Sequence, residues 1–275
     1  MFEKLFDMTG KVAVVTGASA NGGIGHAIVL GLAAFGADVA ICDIDEAGMQ
    51  TTAQEIQALG RRVFSRRCDI SKPEEVESFF NDVDQHFDHL NILVNVPFAF
   101  PSRVRPHELT LENLQKTLAV GLIGYFLCTQ QALRRMLAKE QKGAILNIGS
   151  IAGVSGMGRG NFPYSITKGG VAQMTRELAI EYAQQGIRAN AILPCQVRTP
   201  GLQKQLDADP TFAERVLPRF LAGIPIGRLL EADDFVGAAV FLCSDAASAV
   251  TGVLLPVDGG NLAMNAGGSF IWPKD

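Results

Sequence analysis

Tyr164 and Lys168 stand four residues apart in Tyr164-Ser165-Ile166-Thr167-Lys168, so on a helix they share one face. A phenol titrates near ~10, and exchanging a proton with an alcohol or carbonyl oxygen at neutral pH requires a neighbouring cation that favours the phenolate. The Lys168 ammonium supplies that charge. Ser150 lies 14 residues ahead of Tyr164, directly after the apolar run Ala144 to Ile148, where its hydroxyl can hold a substrate oxygen. Ser150, Tyr164 and Lys168 together read as an acid/base centre.

A second constellation lies near the start of the chain. Thr16-Gly17-Ala18-Ser19-Ala20-Asn21-Gly22-Gly23-Ile24-Gly25 separates a β-branched run from a helical stretch. In that position Gly17, Ser19, Asn21, Gly23, Ile24 and Gly25 offer a backbone that can approach a pyrophosphate and helix N–H groups that can meet its charge. Asp43, with Ile44 after it, follows 18 residues beyond Gly25 and is spaced to bond an adenosine ribose 2′-hydroxyl, with Asp45 as a rival. A carboxylate there repels a 2′-phosphate and the loop carries no Arg or Lys, so the expected cofactor is NAD. Asp69 and Ile70 follow the third strand-like run, where the Asp69 carboxylate can accept from an adenine amino group. Lys168 can then also bond the nicotinamide ribose.

The elements that position these residues alternate along the chain. Expected strands are Lys11 to Thr16, Ala37 to Cys42, Arg62 to Arg66, Asn91 to Val94, Ala144 to Ile148, Arg188 to Leu193 and Val253 to Val257. Expected helices are Ile24 to Phe35, Glu46 to Leu59, Pro73 to Phe87, a long one ending near Lys139, Pro163 to Gln185, and Ala232 to Cys243. Continuously apolar strands alternating with helices imply a doubly wound parallel sheet, Rossmann-like, with helices on both faces in an α/β/α single domain spanning 1–275. Within residues 200–223, Leu202 to Gly223 breaks the rhythm with polar residues, two prolines (Pro210 and Pro218) and short helical pieces, and the segment is expected to be a loop covering the substrate or a plain surface excursion.

Composition narrows the function. With 48% hydrophobic and 19% charged residues the chain can bury a large core, and its net charge of −4 comes without the basic stripe that nucleic acid needs. Five scattered cysteines without a C-x-x-C pair suggest neither disulfides nor a metal site, and fit a reducing cytoplasm. No secretory leader or membrane span is expected, because Met1 to Asp7 has no apolar segment and the other apolar runs are short.

In these motifs and their order the chain resembles the short-chain dehydrogenase/reductase family over residues 9–260. The resemblance implies cofactor contacts by Gly17 to Gly25, Asp43, Asp69 and Asn95, and by Pro194, Val197 and Thr199 at the carboxamide. It implies catalysis by Ser150, Tyr164 and Lys168, and a homotetramer. The chain also departs from the family. Its glycine loop is two residues longer, and the usual Asn-Asn-Ala-Gly is Asn95-Val96-Pro97-Phe98. Cys195 replaces a glycine, and Gly121 stands where the family has its catalytic asparagine. Two readings of Gly121 stay open: water or a backbone carbonyl carries the proton relay, or the pocket is remodelled for an unusual substrate.

For the substrate, Arg103, Arg105, Arg159, Asn161 and Gln196 are the candidates. Guanidinium groups suit planar or multidentate oxygen anions, although arginines on loops are often plain surface residues. The expected activity is NAD-dependent interconversion of a secondary alcohol or hemiacetal on a polar, anionic or sugar-type small molecule and the carbonyl or lactone. A non-redox lyase or isomerase on the same scaffold, or an NAD-binding protein with weak catalysis, are the alternatives.

Overall fold

The computed structural model describes residues 4–20, 22–99 and 103–264. Seven parallel strands form one sheet in the order β3-β2-β1-β4-β5-β6-β7. They are β1 (Val12–Thr16), β2 (Asp38–Asp43), β3 (Val63–Arg67), β4 (Ile92–Asn95), β5 (Gly143–Ile148), β6 (Ile187–Pro194) and β7 (Leu254–Val257). β1 and β4 are buried along their whole length, as strands covered on both faces must be. One apolar layer packs Ile28 and Leu32 of α1 (Ile24–Ala34) and Val240 of α9 (Val236–Cys243) on one face. On the other, Phe79 and Phe80 of α3 (Pro73–His86) meet Tyr125 and Leu133 of α5 (Tyr125–Ala138) and Val171 of α6 (Phe162–Glu181). The strand order reverses direction between β1 and β4, and in such sheets ligands bind at the carboxyl ends of the strands beside that crevice.

Local chemistry sets the helix starts. Asp45 caps α2 (Glu46–Ala58) by accepting from the Gly48 N–H at 3.1 Å, and Pro73 opens α3, where its missing N–H costs nothing.

Two expectations need correction. Residues 200–223 are not a loop but a helical pair, α7 (Pro200–Ala208) and α8 (Pro210–Leu221). Thr199 and Asp209 accept from the N–H groups of Leu202 and Phe212, and each is followed by proline in the first helical position. Of the two prolines that suggested irregular chain, Pro210 is a start signal and Pro218 lies inside α8. The expected long helix ending near Lys139 is α4 (Leu111–Leu118), a π-helical turn over Ala119–Gly124, and α5. Gly121 sits in that π turn, a distortion often found at functional sites.

Candidate active site

The glycine loop leaves β1 at Gly17, whose φ of +72° is left-handed, and the Gly17 N–H donates to the Cys42 carbonyl at 2.7 Å. A Cβ on Gly25 would fall 2.0 Å from the Gly17 carbonyl oxygen, so only glycine lets the loop close on the start of α1. Gly23 caps α1 and Ile24 is its first residue. Asn21 lies outside the described residues. The Asp43 carboxylate accepts from the N–H groups of Ser19 (3.3 Å) and Asp45 (3.1 Å), which fixes it at the mouth of the loop. Asp45 uses one oxygen on its cap and lines the same cavity, whereas Asp43 is the acid bonded to the loop through Ser19. Gly17, Ser19, Asp43, exposed Ile44, Asp69 and buried Ile70 line one cavity of 480 Å³. One Asp69 oxygen accepts from the N–H and hydroxyl of Ser71 at 2.9 and 2.7 Å. A backbone cradle that a Cβ would fill, a helix N-terminus and a carboxylate at the end of the second strand fit a dinucleotide.

Asn95 is different. Its side chain is buried, donating to Asn147 Oδ1 (2.9 Å) and Thr129 Oγ1 (3.2 Å), while Asn147 donates to Thr175 Oγ1 (3.0 Å). This polar ladder ties β4 to β5, α5 and α6 beneath the cleft, and it leaves Asn95 Oδ1 buried without a partner among the described residues.

At the ends of β5 and α6 the reactive groups meet. Ser150 follows β5, its Oγ accepts from the Ala152 N–H at 3.1 Å, and its hydroxyl lines the pocket beside Tyr164. Burial raises the Tyr164 phenol above its usual range, and the Ser150 hydroxyl offsets this by hydrogen bonding. Burial alone brings Lys168 from 10.5 to about 7. Lys168 Nζ donates to the Ile148 carbonyl at 2.6 Å and to the Tyr125 hydroxyl at 3.3 Å, and lies 5.4 Å from the centre of the Phe98 ring and 5.1 Å from that of Tyr125.

Phe98 and Tyr125 were not singled out in the sequence. The Phe98 ring packs edge-on against Tyr164 with centroids 4.6 Å apart, and also lines the dinucleotide-sized cavity. A Cβ on Gly121 would approach Phe98 ring carbons to 3.1 and 3.3 Å and Thr167 Cγ2 to 2.7 Å. The space a side chain at 121 would take is thus occupied by the Phe98 ring and the Thr167 methyl. Tyr125 is four residues beyond Gly121, the helical spacing that could have drawn attention to it.

Ser150, Tyr164, Arg103, Arg159, Asn161 and Gln196 line one pocket of 180 Å³, with Met157, Cys195 and Phe220 completing its walls. The Gln196 Oε1 is buried there without a hydrogen-bond partner among the described residues. Asn161 Nδ2 donates to the Gly158 carbonyl at 3.2 Å. Cys195 Sγ donates to the Asp258 carbonyl at 3.2 Å, and burial pushes its thiol up to about 11, so it fills space rather than reacting. Arg105 faces a neighbouring groove and does not line this pocket. Pro194 ends β6, Val197 bridges to Leu230, and Thr199 caps α7.

Comparison with known proteins places this arrangement. The family described as enoyl-(acyl carrier protein) reductase matches residues 17–261. The 2,5-dichloro-2,5-cyclohexadiene-1,4-diol dehydrogenase of Sphingobium indicum is 39% identical over 94% of this chain and 99% of its own. The chain belongs to the short-chain dehydrogenase/reductase family. A second relative, cis-4-hydroxycyclohexanecarboxylate dehydrogenase of Sinomonas cyclohexanicum, is 39% identical over 92% of this chain and 97% of its own. A solved structure from Agrobacterium tumefaciens with bound NADP superposes with a TM-score of 0.82, at 34% identity over 94% of this chain and 99% of that one. This short-chain dehydrogenase/reductase is therefore an oxidoreductase acting on alcohols. Among the described residues no group of side chains is arranged to hold a metal ion, and no helix is long and apolar enough to cross a membrane.

Proposed function

We propose that the protein is an NAD(H)-dependent dehydrogenase that interconverts a secondary alcohol on a small, polar, anionic ring or sugar-type substrate with its carbonyl form. The observation that carries the reading is the single pocket in which Ser150 and Tyr164 face Arg103, Arg159, Asn161 and Gln196. One end has groups that handle a proton, and the other has donors for oxygen anions. The relative acting on a hydroxycyclohexanecarboxylate, a secondary alcohol carrying a carboxylate, supports the same division.

The nicotinamide, when bound, supplies the hydride acceptor for oxidation and the donor for reduction. The rest falls to the chain. The Ser150 hydroxyl holds the substrate oxygen, and Tyr164 Oη takes the alcohol proton in oxidation and returns it in reduction. The Lys168 ammonium favours the phenolate, while the Ile148 carbonyl and the Tyr125 hydroxyl hold Nζ in place from behind. Lys168 needs those acceptors because burial disfavours its charged form.

The choice of NAD rests on Asp43. Its carboxylate would repel a 2′-phosphate. The nearest basic residues on β3 are engaged elsewhere, Arg66 with Asp82 and Arg67 with Glu75. Exposed Ile123, Phe126, Phe162 and Ile166 support self-association into a homotetramer.

Tyr164→Phe tests the central claim. NADH binding, followed by nicotinamide fluorescence, is expected to persist while turnover of secondary alcohols falls at least a hundredfold, the usual scale of a lost acid/base group. Near-normal turnover in the folded variant sinks the mechanism.

A further inference from the structure

We infer that the substrate carries a phosphate-type oxyanion remote from its reacting carbon, held in a vestibule built by Arg103, Arg159, Arg215 and Arg219. The inference rests on the reading of the Tyr164 pocket as the reaction site and extends it outward.

The four arginines line one cavity of 470 Å³, together with Phe212, Val216 and Phe220. That cavity shares Arg103, Arg159 and Phe220 with the pocket that holds Ser150 and Tyr164, so the two adjoin across those side chains. The guanidinium groups come from three separate segments: the stretch after β4, the loop before α6, and α8. On α8, Phe212, Arg215, Val216 and Arg219 recur at the three- and four-residue spacing that puts them on one face, and that face looks into the cavity. Complementing the helix dipole accounts for Arg219, which lies in the last turn, but not for the arginines from the other two segments.

The four arginines are exposed at one cavity, and the backbone holds two of their segments together. Arg159 has a φ of +57°, a left-handed conformation uncommon outside glycine, between Gly158 at +63° and Gly160 at +74°. A Cβ on Gly160 would meet the Arg103 carbonyl carbon and the Val104 nitrogen at 3.0 Å. The two arginine-bearing segments are therefore packed backbone to backbone. None of the four guanidinium groups forms an ion pair with an acid among the described residues, whereas Arg61, Arg62, Arg66, Arg67, Arg135 and Arg198 all do. A single carboxylate is satisfied by one bidentate arginine. Four arginines lining one cavity match a group with more charge and more acceptor oxygens, and a phosphomonoester carries nearly two charges at neutral pH and three such oxygens.

Inorganic phosphate is the probe, titrated by calorimetry into the NADH-saturated protein at constant ionic strength. Saturable binding is expected, weakened at least tenfold in Arg215→Gln/Arg219→Gln, with NADH affinity unchanged. Arg159→Gly, which removes a guanidinium and relieves the left-handed residue, is expected to weaken phosphate binding while leaving the melting temperature equal or higher. Phosphate that fails to bind the wild type beyond a sodium chloride control overturns the inference. So does phosphate binding that is equal in wild type and variants. NADH binding and Tyr164→Phe turnover are read separately, so an unresponsive vestibule in a working dehydrogenase refutes only this inference. Loss of the redox reading with phosphate binding intact refutes only that reading.

Discussion

Tyr125→Phe isolates the support behind Lys168. The substitution removes one oxygen from a buried site and leaves the ring contact with Nζ in place. Lys168 keeps the Ile148 carbonyl at 2.6 Å but loses the acceptor at 3.3 Å. Ile148 keeps its donor in Lys168, so no buried acceptor is stranded, and the stability loss should stay near ~1 kcal/mol. The charged form of Lys168 loses more. A hydrogen bond to a charged group contributes ~1.5–3 kcal/mol, and this one is long, so ~1.4 kcal/mol is a fair figure, equivalent to one pH unit. Lys168, already brought down to about 7 by burial, should titrate lower still, and Tyr164 correspondingly higher. In the oxidation direction the rising limb of log kcat/KM against pH should move alkaline by ~0.5–1 unit, with NADH affinity little changed. A limb that stays within ~0.2 unit of wild type, in a folded variant, would show that the Tyr125 hydroxyl does not hold Lys168 for the reaction.

Three further outcomes follow from the same geometry. Asp43→Ser should weaken NADH binding by ~10–100-fold, the scale of a lost charged hydrogen bond, and narrow the preference over NADPH by at least tenfold in fluorescence titrations; an unchanged preference would remove Asp43 from cofactor selection. Gly121→Ala gains ~1 kcal/mol of helix propensity but places a methyl 2.7 Å from Thr167 Cγ2 and 3.1 Å from Phe98, and overpacking costs ~1–3 kcal/mol, so the melting temperature should fall. Phe98→Ala should recover part of that loss, and a rise in melting temperature for Gly121→Ala alone would contradict the packing argument. Lys168 binds its proton more weakly in the folded chain than its ordinary 10.5, so the unfolded chain holds more protons between about 7 and 10.5 and stability should rise with pH across that window. The full penalty, at most ~5 kcal/mol, acts below about 7, and Lys168→Met should flatten the dependence in denaturant titrations.

The parts of this protein that were legible in the sequence are those set by local spacing. Tyr164 and Lys168 lie one turn apart in any helix, and the glycine loop announces itself between a β-branched run and an amphipathic stretch. The Asn95 ladder was not legible because it depends on register: only when β4 pairs with β5 residue for residue does Asn95 stand beside Asn147, and that pairing is not a local property. The link between Phe98 and Gly121 spans a loop and a π turn, and no periodicity connects them. For α7 and α8 the signals were present as Thr199-Pro200 and Asp209-Pro210, but a proline read as a breaker hides a proline that starts a helix. Arg215 and Arg219 passed unnoticed for the same reason, because without α8 they share no face.

The helical pair formed by α7 and α8 has one more consequence. Each helix brings its own cap and its own proline, and between them only Leu206 is buried. The pair thus adds little to the core, and by ordinary energetics it should open in hydrogen exchange well before the sheet does. On the proposed reading, chemistry and recognition are lodged in parts of unequal stability: Ser150, Tyr164 and Lys168 on the rigid body, half of the arginines on an appendage. Substitutions in the appendage can redirect what the enzyme accepts with little cost to folding, which makes this segment the place where relatives with other substrates would diverge first and where a graft would change selectivity without rebuilding the catalyst.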